Sequence, residues 1–181
     1  MKAVKTPISD VLIIEPDVIG DNRGYFFESY NHRKFTKLLG RELEFVQDNH
    51  SHSVKNVLRG MHYQIQHTQA KLVSVINGKI LDISVDLRKN SPTFKQHVVN
   101  ELSSDNKRML WIPEGFAHGF VVLSNTADLL YKTTDYRYPE HERCIRWNDP
   151  DLAINWQLKA PPILSDKDVQ GQAFAKAELF D

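Results

Sequence analysis

Short apolar runs, each alternating with polar positions, dominate residues 11–133. Leu81, Ile83, Val85 and Leu87 alternate with Asp82, Ser84 and Asp86, which predicts a strand with one buried and one polar face. Strands are also predicted at residues 11–14, 25–30, 42–50, 57–64, 71–76, 96–102, 107–112, 120–123 and 127–133. Turn chemistry separates them. Asp21-Asn22-Arg23-Gly24, Ser91-Pro92 and Ser103-Ser104-Asp105-Asn106 read as turns, Asn77-Gly78 as a two-residue hairpin, and Ser124-Asn125-Thr126 as a second hairpin. One helical pattern interrupts the series: Asn31 caps it, Phe35, Leu38 and Leu39 form its apolar stripe, and Gly40 stops it. About ten closely spaced strands predict an all-β sandwich, barrel or jelly roll rather than a βαβ fold. Past Tyr136 the pattern turns irregular, and Ser165-Asp166-Lys167-Asp168 predicts a short terminal helix.

Length and charge narrow the function classes. At 181 residues the chain is read as one domain over 1–181, with an N-terminal strand extension and a C-terminal helical tail. Lys+Arg and Asp+Glu balance at 23 each, so nothing suggests a nucleic-acid partner, and an anionic ligand must be met by locally placed cations. Cys144 is the only cysteine, which excludes an intrachain disulfide. No signal-peptide core and no membrane-length apolar run stand out, so the expected address is cytoplasmic, with no membrane partner.

The chemistry concentrates in two stretches. In Val57-Leu58-Arg59-Gly60-Met61-His62-Tyr63-Gln64, alternation puts Gly60, His62 and Gln64 on one face, and Gly60 leaves room beside His62. Arg59 then faces away, unless a bulge at Gly60 turns it. Pro113-Glu114-Gly115-Phe116-Ala117-His118 resembles the second motif of the cupin superfamily, whose histidine points into a jelly-roll barrel. His62 and His118 make only two ligands, His50 and His52 read as surface residues, and no metal is expected. His62 can instead serve as a general base, with Lys71 and Arg59 to meet an oxyanion or phosphate. Tyr131 is either a proton donor or a core tyrosine with a wet hydroxyl.

Longer blocks carry a closer resemblance. Leu58 to Gln64, Lys71-Leu72-Val73, Val85-Asp86-Leu87-Arg88, Ser91-Pro92-Thr93-Phe94, Trp111 to Leu123, Leu130 to Tyr136 and Ile163 to Asp168 resemble the dTDP-4-dehydrorhamnose 3,5-epimerase family. The match spans about residues 10–168. The resemblance implies a cofactor-free jelly-roll isomerase that inverts C3 and C5 of a dTDP-linked 4-keto-6-deoxyhexose, for rhamnose and surface polysaccharide synthesis. It implies His62 as base, Asp168 as its orienting carboxylate, Tyr131 as acid on the opposite face, and Lys71 near the 4-keto oxygen. Arg23, Glu28, Gln47, Asn49, Arg59, His118, Glu142 and Lys167 match positions that hold the nucleotide, diphosphate or sugar. It also implies a homodimer with an exchanged N-terminal strand, for which the edge at residues 11–14 is the candidate. Ala70, Ser74, His52 and Cys144 depart from the family pattern. Of these only Ala70, beside Lys71, is expected to touch the chemistry. A single-site epimerase or ketoisomerase of a related sugar, and a sugar-binding cupin without turnover, stay open. A cap on Ser165 is the alternative role for Asp168.

Overall fold

The computed structural model describes residues 1–181. Its elements are β1 (Lys2–Lys5), β2 (Leu12–Glu15), β3 (Ile19–Asp21), β4 (Gly24–Phe26), α1 (His32–Leu39), β5 (Gln47–Val54), β6 (Leu58–Gln64), β7 (Lys71–Asn77), β8 (Lys79–Asp86), β9 (His97–Ser103), β10 (Met109–Ile112), β11 (Phe116–Val122), β12 (Thr126–Thr133), β13 (Glu142–Cys144) and α2 (Asp166–Val169). One sheet runs β1-β2-β10-β7-β12-β5 and the other β13-β6-β11-β8-β9, while β3 and β4 form a separate hairpin. The strands pair antiparallel, and the chain crosses repeatedly between the two large sheets. This is an all-β jelly roll of the cupin type. No helix is long and apolar enough to cross a membrane.

Alternation sorts the side chains into three apolar layers. Val73, Val75, Ile80, Leu110, Phe120 and Leu129 fill the apolar part of the space between the sheets. On the outer face of the second sheet, Leu81, Ile83 and Val85 pack against Ile145, Trp156 and Phe174 from the chain after β12. On the outer face of the first, Leu72, Met109 and Trp111 are covered by Phe35 of α1. The Asn31 side chain accepts from the Lys34 N–H at 3.2 Å and Gly40 closes the helix, as the sequence predicts.

Several expectations change. β8 is buried on both faces: its apolar face meets the C-terminal segment, and Asp82, Ser84 and Asp86 point into the barrel, fully buried. Asn77-Gly78 is a corner between sheets, because β7 and β8 never pair. Gly78 has a φ of 79°, and a Cβ there would lie 2.0 Å from the Thr126 carbonyl, so glycine is required for a reason other than a hairpin. Ser124-Asn125-Thr126 likewise joins β11 and β12 across the two sheets. The predicted strand at 25–30 ends at Phe26, and the one at 42–50 begins only at Gln47. Tyr30 and Phe45 leave the strand path to stack with Phe35 and Trp111, so side-chain packing replaces sheet pairing there. The stretch at 11–14 is not a free edge: β2 lies between β1 and β10, and Val11 and Ile14 are fully buried.

Candidate active site

A cavity of about 180 Å³ opens between the sheets. β6 and β11 send Arg59, His62 and His118 into it from one sheet, and β5, β7 and β12 send Gln47, Asn49, Lys71 and Tyr131 from the other. Arg59 and His62 share the cavity because the strand bulges between them. His62 stands opposite His118 and Arg59 opposite Phe120, so three steps of β6 match two of β11. Gly60 occupies the bulge at φ 139°, and a Cβ on it would lie 2.6 Å from the Gly119 Cα. The Gly60–Met61 peptide is cis.

Asp168 reaches His62 from α2, with Oδ1 2.8 Å from Nε2. The ring N–H is poorly aimed at that oxygen, so the contact is an ion-pair approach more than a directed hydrogen bond. Oδ1 also accepts from the buried Gly60 N–H at 3.1 Å. Oδ2 accepts from the Ser165 hydroxyl at 2.6 Å and the Ser165 N–H at 3.2 Å, closing a capping box. The partner of His62 and the cap of α2 are therefore the same carboxylate. Burial pushes Asp168 up, but His62, Ser165 and Gly60 outweigh it and hold the carboxylate well below the usual range. Burial lowers the His62 pKa, and Asp168 opposes that fall. The imidazole is thus poised as a free base.

Electrophilic groups surround the base. Burial lowers Lys71 to about 8, against the pull of Asp82 and Glu142, so it carries its proton at neutral pH. His118 Nε2 lies 2.8 Å from Oδ2 of fully buried Asp82. Burial raises the Tyr131 pKa, and the phenol stays protonated. Burial pushes Glu142 up, yet Arg137 and Lys167 hold it at about 2. Arg59 is tied to the Ser53 hydroxyl at 3.1 Å. Gln47 donates to Asn49 at 2.7 Å.

Ten of the twelve expected residues gather here: nine line the cavity or contact a residue that does, and Lys167 joins at the rim through Glu142. Arg23 and Glu28 do not. Arg23 sits on the exposed β3–β4 turn, paired with Asp21, and Glu28 pairs with Lys34. Arg137, Gln69 and Asp82 escaped sequence reading. Arg137 and Gln69 line the cavity from irregular segments, and Asp82 acts through His118. The one signal for Asp82 was the polar alternation of β8. Cys144, expected outside the chemistry, stands opposite His62 in the β13–β6 pairing. His50 and His52 are exposed and share Asp128, at 3.2 and 2.8 Å. A larger cavity of about 360 Å³ lies under Tyr25 and Phe27; it shares Tyr131 with the first and holds the Asp48–Lys132 ion pair, but no histidine lines it.

The site can remove a proton from one side of a bound ring with His62, stabilise an oxyanion with Lys71 and His118, and offer a proton from Tyr131 on the facing sheet. Comparison with known proteins gives the family. A family model described as dTDP-4-dehydrorhamnose 3,5-epimerase matches residues 5–176. The chain is 59% identical over 180 residues to the dTDP-4-dehydrorhamnose 3,5-epimerase of Pseudomonas aeruginosa, covering 99% of each chain. It is similar, with a TM-score of 0.96 and 50% identity, to dTDP-6-deoxy-D-glucose-3,5-epimerase of Legionella pneumophila in complex with dTDP-4-keto-L-rhamnose, covering 98% of this chain and 94% of that one. A 3'-monoepimerase of Streptomyces bikiniensis in complex with dTDP-quinovose is more distant, with a TM-score of 0.89, 30% identity, and 97% and 88% coverage. By both sequence and fold, this chain belongs to the dTDP-4-dehydrorhamnose 3,5-epimerase family.

Proposed function

We propose that the protein converts dTDP-4-dehydro-6-deoxy-D-glucose to dTDP-4-dehydro-L-rhamnose, inverting C3 and C5. The observation that carries this reading is the His62–Asp168 pair on one sheet facing Tyr131 on the other across a single cavity. C3 and C5 both flank the C4 carbonyl, so loss of either proton gives an enolate. His62 takes the proton, and the electron pair of the C–H bond moves onto the C4 oxygen. Lys71 and His118 stabilise that oxygen. Tyr131 delivers its proton to the opposite face, the carbonyl re-forms, and solvent restores both groups. The same cycle at the second carbon completes the inversion.

The cavity is smaller than the roughly 300–1,000 Å³ of pockets that enclose drug-sized ligands. It holds a sugar ring and leaves the nucleotide outside, where Arg59, Arg137 and Lys167 meet its diphosphate. Remote binding of that handle orients the ring. Arg23 and Glu28 complete the nucleotide site from a second copy of the chain. Support for a homodimer comes from the β3–β4 hairpin, which carries Arg23, bonded to its neighbour Asp21, and the exposed Ile19, Tyr25 and Phe26. A cytoplasmic address suits a charged nucleotide-sugar substrate, and the product supplies rhamnose for surface polysaccharide.

A single-site epimerase is the second reading, favoured by the likeness to the 3'-monoepimerase. Turnover of dTDP-4-keto-6-deoxyglucose in deuterated water separates them. Label at both C3 and C5 is expected. Label at one carbon overturns double epimerisation, and no label overturns catalysis.

A further inference from the structure

His62, Cys144 and Asp168 bring an imidazole nitrogen, a thiol and a carboxylate oxygen within 4.8 Å of one another. Sheet register sets this: β13 places Cys144 opposite His62, and the capping box fixes Asp168. The donors are loosely engaged. The Cys144 thiol has only long contacts, at 3.9 Å to the Gly60 carbonyl and 3.7 Å to that of Ile145. His62 Nε2 is buried without a directed hydrogen bond. A nitrogen, a sulfur and an oxygen around one point suit a borderline-soft ion such as Zn²⁺ or Cd²⁺. With metal–ligand bonds of about 2.0–2.3 Å, tetrahedral ligands sit roughly 3.3–3.6 Å apart. The trio reaches that spacing by a rotation of the Cys144 side chain and a slight opening of the 2.8 Å His62–Asp168 contact.

We propose that His62, Cys144 and Asp168 form an inhibitory site for a thiophilic divalent cation. Binding releases the thiol proton to solvent, moves the Nε2 proton to Nδ1 and places a positive charge on the ring. That charge repels the proton His62 must accept, so occupancy and turnover exclude each other. The inhibitory role rests on His62 being the base, whereas the binding site itself does not.

Two measurements on chelator-treated, full-length protein test this. Cd²⁺ titration should give a thiolate-to-cadmium absorption band saturating at one ion per chain. Cys144 is the only thiol, so Cys144→Ser must lose the band. His62→Ala keeps the thiol and should bind at least about tenfold more weakly, as loss of a ligand demands. Equal affinity in His62→Ala would mean a lone thiol and overturn the site, as would the absence of a band. In the second measurement, Zn²⁺ should inhibit turnover reversibly, and Cys144→Ser should require at least about tenfold more Zn²⁺. Equal inhibition of Cys144→Ser overturns the proposal. A band without inhibition keeps the site but overturns its inhibitory role, and with it the reading of His62 as base.

Discussion

Asp168→Asn removes one charge beside His62 while keeping the side chain's shape. The 2.8 Å contact puts the charge centres about 4 Å apart, where attraction is about 1 kcal/mol in bulk water and about 4 kcal/mol at the dielectric typical near a protein surface. The His62 side chain is 31% exposed and that of Asp168 2%, so the site lies between those limits. The carboxylate thus holds the His62 pKa up against the fall that burial causes. Removing it disfavours the imidazolium, and the pKa falls. The free base then survives to lower pH, so the acidic limb of kcat/KM moves to lower pH. The plateau drops at least about tenfold, because a weaker and less oriented base is left. The new amide still accepts from Gly60, but its NH₂ opposes the Ser165 N–H that bonded Oδ2. Losing that half of the cap costs about 1 kcal/mol, or roughly 2–4 °C in Tm. The assay is initial rate against pH at constant ionic strength, with a melting curve at each pH. Ser165→Ala breaks the same cap and leaves the charge, so its limb should stay with the wild type. A limb that does not move in Asp168→Asn, or moves equally in Ser165→Ala, refutes the electrostatic role.

His62→Ala should lower turnover at least about 10²-fold, the lower range for general-base catalysis, measured as product yield; near-normal turnover would remove the base. Tyr131→Phe should still exchange substrate protons with solvent but invert poorly, because His62 alone returns a proton only to the face it came from. Deuterium in recovered substrate, read beside product yield, checks this, and a folded variant that does neither rules Tyr131 out as the acid. Exhaustive chelation should leave activity at or above its starting level, since the proposed steps use only side chains and an adventitious ion on Cys144 inhibits. Loss that a divalent ion restores would reverse that. Gly60→Ala should lower thermal stability sharply or prevent folding, since its Cβ meets backbone at 2.6 Å with φ at 139°, and a melting curve like the wild type's would contradict the bulge.

Strand positions were readable where alternation was strict, as along 81–87, because side-chain period follows directly from backbone geometry. Strand partners were not. Asn77-Gly78 obeys the statistics of a hairpin, yet the local sequence carries no information about which sheet the next strand joins. The polar face of β8 was misread for a related reason: alternation marks two faces, and only the C-terminal segment packed on Leu81 and Val85 decides that neither meets water. His62, Lys71 and Tyr131 were legible because unusual residue types stood at inward positions. Arg59 was half legible, since the need for a bulge at Gly60 could be stated but its presence is a property of the β6–β11 pairing. Arg137 and Gln69 lie on irregular chain, where no periodicity assigns a side chain to a cavity. That Cys144 stands beside His62, more than eighty positions away in sequence, is a property of the β13–β6 pairing alone.

The capping box on Ser165 has a consequence for the setting of the base. Every strand of the two sheets lies before residue 145 in the chain. Asp168 follows more than twenty residues later, and it joins the base only when α2 closes on its own cap. A chain that ends before α2 therefore lacks the carboxylate beside His62, the acceptor for the Gly60 N–H and the Phe174 that covers the outer face of the second sheet. One carboxylate thus couples the closure of the C-terminal segment to the setting of His62.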